Sequence, residues 1–179
     1  MSRSFYGRIE RDEIRSPSPQ DLWAIAAVLG LDLRLTAYPA GEPVHDRVQL
    51  PMLELAHNLV APGVPWLTEV TLPIGGDRRA WDAVAMTPDG WTAFEAISRL
   101  GAVDATMRRA NEKLRDDPRV ARLVLVINDT ARNREAMRVG AAALRSAFPL
   151  GGGELREALR NGRHPALHGI VMVRPRRRP

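Results

Sequence analysis

The stretch Val120-Ala121-Arg122-Leu123-Val124-Leu125-Val126-Ile127 limits the fold more than any other in this chain, because it is apolar at nearly every position. A strand with apolar residues on both faces belongs in the middle of a sheet that carries helices above and below. The flanking pattern supplies both. A helix is expected over about Arg47–Val60, in spite of Pro51 near its first turn, and Pro62-Gly63-Val64-Pro65 closes it. Three strands follow, at about Trp66–Leu72, Arg79–Met86 and Trp91–Ser98, the last two joined by the turn sequence Thr87-Pro88-Asp89-Gly90. A second helix, about Ala102–Arg115, carries Val103, Met107, Ala110 and Leu114 at helical spacing. After the apolar strand, Ala131–Phe148 reads as one long helix. Gly151-Gly152-Gly153 then reads as a flexible break before a short helix and a closing strand, Gly169–Val173. The order helix, three strands, helix, strand gives an α/β class, a mixed sheet flanked by helices.

Ahead of this core the pattern is shorter. Residues 4–13 read as a short helix, broken by Ser16-Pro17-Ser18-Pro19. Ser18 is a good N-cap with Pro19 at the first helical position, so a helix Gln20–Leu29 is expected, with Leu22, Ile25, Ala26 and Leu29 on one face and Gly30 as its stop. Leu31–Thr36 alternates strictly and predicts a strand. The loop Tyr38–Asp46 is the natural boundary. The expected organisation is a two-helix segment over 1–30, a strand and linker over 31–46, an α/β domain over 47–173 and a basic tail over 174–179.

Composition narrows the classes. The 179 residues suit one medium domain with an appendage, and a hydrophobic content of 45% is enough for a core. The absence of cysteine excludes disulfides, zinc-thiolate sites and iron–sulfur clusters, and fits a reducing cytoplasm. The early residues become charged at once and lack the apolar core of a signal peptide, and no apolar run approaches the roughly 20 residues that span a bilayer. A soluble, cytoplasmic protein with no membrane partner is expected. The net charge of +5 is concentrated in the tail: Arg174, Arg176, Arg177 and Arg178 carry most of it and leave the remainder near neutral. Lys113 is the only lysine.

Candidate chemistry lies in the hairpin. Asp82 and Glu95 are each a lone acid in a largely apolar strand, which is expensive unless the acid is paired, solvated or bound to a cation. With a two-residue loop at Pro88-Asp89, Asp82 falls opposite Glu95 on the same face; a bulge at Gly90 would put them on opposite faces. Opposed carboxylates suit a Mg²⁺ site, and equally suit two acids facing water at a sheet edge. Glu69 is either a third acid or an exposed strand residue.

The αβββαβ order, with Asp82 on the second strand and Glu95 on the third, resembles the PD-(D/E)XK nuclease superfamily. More narrowly, the chain resembles actinobacterial-type proteins in which a restriction-endonuclease-like domain follows an Xre-type helix-turn-helix. The pieces that carry this are Arg8-Ile9-Glu10-Arg11 with Pro17-Ser18, Ile25-Ala26-Ala27-Val28-Leu29-Gly30, the two acids, and Leu123 through Arg134. The resemblance implies that Asp82 and Glu95 hold Mg²⁺ and that a Glu-x-Lys motif supplies an ammonium group beside the reacting phosphate. Here the motif reads Glu95-Ala96-Ile97, and isoleucine stands where the lysine belongs. Lys113 on the following helix, or Arg99, could replace it. Lys113 reads equally as a flank residue covering the core edge.

The same resemblance makes Ser4–Arg11 the recognition helix, with Ser4, Tyr6 and Arg8 near DNA. The bracing helices that should precede it are expected to be missing, as in a shortened reading frame or a relic. Residues 1–30 carry four arginines and four acids, so the pull on a duplex is weak and DNA binding is expected to be weak or lost. Three functions follow: a DNA-associated, transcription-regulator-like protein with a degenerate nuclease fold and no cofactor, an active Mg²⁺-dependent nuclease, or a structural α/β fragment. A homodimer is one assembly open to it. His164 and His168 read as surface-loop residues, and Asn128-Asp129-Thr130 as a cap for the next helix.

Overall fold

The computed structural model describes residue 7, residues 18–31, residue 33 and residues 49–175. The chain divides into two units, Met1–Ala40 and Gly41–Pro179.

In the first unit, helix α1 (Pro19–Val28) starts as its sequence predicts. The Ser18 hydroxyl accepts from the Asp21 amide at 3.2 Å and the Asp21 carboxylate accepts from the Ser18 amide at 3.0 Å, a reciprocal capping box. At the other end Gly30 adopts φ 68°. Its amide donates to Ala27 at 3.3 Å and the Leu31 amide donates to Ala26 at 2.8 Å, the Schellman pattern that only a left-handed residue permits cheaply. The strand expected over Leu31–Thr36 is not formed at Leu31 or Leu33, the two of its residues described. The Leu31 amide is spent on closing the helix, and the Leu33 carbonyl accepts from the Trp23 indole at 2.9 Å. The expected helix over 4–13 and the rest of that strand lie outside the described residues, Gly7 excepted, which is helical.

Among the described residues of the second unit is a five-stranded mixed sheet. Helix α2 (Gln49–His57) leads into β1 (Trp66–Thr71), β2 (Ala80–Thr87) and β3 (Gly90–Ile97). Helix α3 (Val103–Asp116) connects to β4 (Val120–Asn128). Helices α4 (Ala131–Val139), α5 (Ala141–Ala147) and α6 (Gly152–Arg160) precede β5 (Gly169–Val173). The strands lie in sequence order; β1, β2 and β3 run antiparallel and β3, β4 and β5 parallel. Thus the expected order of helix, three strands, helix, strand is present, and β4, buried on both faces, lies second from one edge.

Each face of the sheet has its own core. Ala83, Ala85, Phe94, Ala96, Val124 and Val126 meet Met52, Leu53 and Ala56 of α2 and Leu155 and Leu159 of α6. On the other face Val84, Ala93, Leu123, Leu125 and Ile127 meet Ala110 of α3 and Leu144 of α5, with Val103, Met107 and Leu114 packed alongside. Burial of these side chains, about 1.5–3 kcal/mol for each large one, is the main force holding the layers together.

Two glycine segments behave differently from their expectation. The single long helix Ala131–Phe148 is broken at Gly140, which ends α4 and precedes α5. A Cβ on Gly140 would lie 2.6 Å from Val103 Cγ2, so the elbow exists where α3 presses against the chain. Gly151-Gly152-Gly153 is no linker: Gly151 is the N-cap of α6, and Gly152 and Gly153 are its first turn.

The hairpin register is clean. Thr87 pairs with Gly90 and Ala83 with Phe94, so the Gly90 bulge considered above is not formed. The interruption lies elsewhere. Thr68 pairs with Ala83 and Val70 with Trp81, skipping Glu69, which adopts φ 54°, and Asp82. In β2 the alternation of faces slips at the same point, since Trp81 and Val84 share one core while Ala83 faces the other.

Candidate functional site

Asp82 sits at that slip. Continued one step past the last β2–β3 pair, the register would set it against Glu95, but there the ladder stops. The Ala96 amide donates to Asp82 Oδ2 at 2.7 Å, and the Ala96 carbonyl accepts from the Gln49 side chain of α2 at 2.9 Å. Two side chains therefore do for Ala96 what a strand partner would otherwise do. Asp82 is 7% exposed, so its carboxylate is turned into the sheet and not toward water.

Glu95 is held by a different group. Lys113 Nζ donates to Glu95 Oε1 at 2.8 Å and to the Ala80 carbonyl at 2.9 Å, and it lies 5.5 Å from the centroid of the Trp81 ring. Both residues are buried. An ion pair that deep survives only with further polar partners, which the carbonyl and the aromatic face provide. Lys113 reaches this position because residues 110, 113 and 117 share one face of the α3 region, inward toward the sheet.

Asp117, one turn on and fully buried, completes the arrangement. It accepts from the Trp81 indole at 3.0 Å and from Arg119 Nε at 2.8 Å. Burial pushes the Asp117 carboxyl up, but the Arg119 and Trp81 hydrogen bonds outweigh it and hold the group below the usual 3.8. Arg119 in turn donates to the Thr71 carbonyl at 2.8 Å and lies 4.9 Å from the Trp91 ring. A linked row of groups, Arg119, Asp117, Trp81, Lys113 and Glu95, thus runs beneath the sheet.

The structure brings together Asp82, Glu95 and Lys113 around the end of β3. Ser4, Tyr6 and Arg8 lie outside the described residues. Ile97 is half-buried against the core of α3, and Arg99 is exposed. Glu69 is exposed on β1. As a Mg²⁺ site the donor set does not fit as it stands. The positive charge an ion would bring to Glu95 is already supplied by Lys113, one Asp82 oxygen is committed to Ala96, and among the described residues no group of three or more His, Asp or Glu gathers.

Gln49, Asp117 and Asn133 escaped sequence reasoning. Asn133, 1% exposed, donates to the Ser98 and Asn128 carbonyls at 3.1 Å and 2.8 Å and accepts from the Leu100 amide at 2.9 Å, tying the chain after β3 to the end of β4. The Thr130 cap three residues earlier, which accepts from the Asn133 amide at 3.1 Å, was legible; the inward use of the side chain was not. His164 and His168 lie in the loop before β5 as expected, but they are half-buried and hydrogen-bonded and do not simply face water.

The fold and site define a mixed α/β domain with a buried acid–lysine cluster, joined to a separate N-terminal unit. Residues 1–35 match the family model described as helix-turn-helix, so the chain carries a helix-turn-helix segment. No curated protein and no solved structure matches the chain. Among the described residues no helix is long and apolar enough to cross a membrane.

Proposed function

We propose that this chain is a DNA-associated, transcription-regulator-like protein of the cytoplasm, of Xre type, whose α/β domain is restriction-endonuclease-like and catalytically degenerate. The helix-turn-helix match over residues 1–35 carries the DNA part of this reading. The degenerate part rests on Ile97 in the motif position and on the engagement of both acids by protein groups. Arg8 is the cation expected nearest DNA, with Ser4 and Tyr6 beside it. Because the arginines and acids of residues 1–30 balance, affinity is modest and falls with salt.

The test is fluorescence anisotropy with labelled duplex DNA over a salt series, with and without unlabelled competitor. Binding that weakens on Arg8→Ala is the expected result; no binding at any salt overturns the DNA reading. In parallel, plasmid is incubated with Mg²⁺ or Mn²⁺. An intact plasmid is expected, and cleavage that Asp82→Ala abolishes overturns the degenerate reading. That second outcome would favour an active nuclease, for which the 2.8 Å approach of Lys113 to Glu95 is the specific supporting observation.

A further inference from the structure

At the opposite end of β3 the sheet is completed by histidine. The β4–β5 ladder begins at Val124 and Gly169, so Leu123 precedes it. The Leu123 amide donates instead to His168 Nδ1 at 3.0 Å. An amide can only donate, so Nδ1 carries a lone pair and His168 is neutral. His164 Nδ1 lies 3.0 Å from Thr92 Oγ1, beside the β3–β4 register shift, and its buried Nε2 has no hydrogen-bond partner among the described residues. Between the two rings the Ala166 carbonyl accepts from Arg122 Nε at 2.8 Å, and the His168 carbonyl accepts from the Leu150 amide at 3.1 Å.

We propose that residues 164–168 form a proton-operated latch: neutral imidazoles hold the α6–β5 connection onto the starts of β3 and β4, and protonation releases it. A proton on His168 Nδ1 would set a donor against the Leu123 donor. A proton on His164 would leave a buried cation with an N–H that has no acceptor. The groups facing the pair are Arg122 from β4, Thr92 from β3, Asp89 from the β2–β3 turn and the Phe148 ring after α5, 6.1 Å from His168. Of these only Asp89 favours a charged ring, and it faces His164 alone. Burial, with Arg122 second, holds both histidines below the ordinary 6.5. The device is independent of the proposed nuclease ancestry and of DNA binding.

The experiment is amide hydrogen exchange on the full chain at about pH 7.5 and about pH 5, corrected for intrinsic rates. Protection at Leu123 and Leu150 is expected to fall by about tenfold or more at the lower pH, with Val124–Val126 unchanged. His168→Asn keeps an acceptor at the δ position that does not titrate, and is expected to remove the change at Leu123. A uniform loss across the sheet, or an equal pH response in His168→Asn, overturns the proposal. Should that variant not fold, NMR titration of the wild-type chain decides: the Leu123 amide and His168 ring signals must share one inflection, and separate inflections overturn it.

Discussion

Side chains support β3 in two ways. At Glu95–Ala96, past the end of the β2 ladder, they are charged: Asp82 takes the Ala96 amide, and Lys113 neutralises Glu95 over the Trp81 ring. Near its start, at Thr92, they are uncharged: His164 meets the hydroxyl, and His168 takes the Leu123 amide of the neighbouring strand. Both ends satisfy backbone groups with side chains, so geometry alone does not separate them. What differs is the consequence of removing or adding a proton. The charged end depends on opposite charges remaining together out of water, and the neutral end depends on charge staying away.

The largest effect is expected at the charged end. Lys113→Ala leaves Glu95 buried without its ammonium partner and should cost about 3–5 kcal/mol in urea unfolding, whereas replacing both Lys113 and Glu95 by apolar residues should recover most of that loss. Equal losses in the single and double variants would show that the pair is not what makes this end costly to alter. Asn133→Ala, near the same end but uncharged, should cost about 2–3 kcal/mol by leaving the Leu100 amide and two carbonyls unmet.

Acid should separate the histidines from the buried Asp117 of the charged row in order. The folded pKa values of His164 and His168 lie below 6.5, so their contribution is complete above that value and declines as pH falls beneath it. The folded pKa of Asp117 lies below 3.8, so its contribution persists through the histidine window and is lost only as pH falls through that lower range. Circular dichroism in urea at stepped pH should show two acid phases. A single phase below pH 3.8 would remove the distinction. A smaller effect, about 1 kcal/mol, is expected for Thr92→Val, which removes one neutral hydrogen bond. Arg138→Ala breaks an exposed pair with Glu135 and should leave Tm unchanged, a baseline for the rest.

The layout of the domain was readable because its signals are local. The apolar run 120–127 and the turn Thr87-Pro88-Asp89-Gly90 each announce an element without reference to distant residues. The N-cap at Ser18 does the same for α1. The failures were tertiary. A lone glycine inside a helical pattern gives no sign that Val103 will press on it, so the elbow at Gly140 was invisible. Three glycines look like a linker unless one knows that a helix begins on them. The acids Asp82 and Glu95 stood out against apolar neighbours, and Lys113 stood out as a lone lysine. Gln49, Asn133 and His168 did not, because they act on backbone groups that periodicity does not locate. The slip at Asp82 was also hidden, since period-two reasoning assumes an unbroken pleat.

Glu69 has a consequence for how the molecule meets copies of itself. Among the described residues β1 is the outermost strand on its side, and a residue with φ 54° halfway along it turns successive amides and carbonyls out of line. An incoming strand could zip to a few residues there before losing step. The sheet thus carries its own stop against open-ended growth into fibres along that margin.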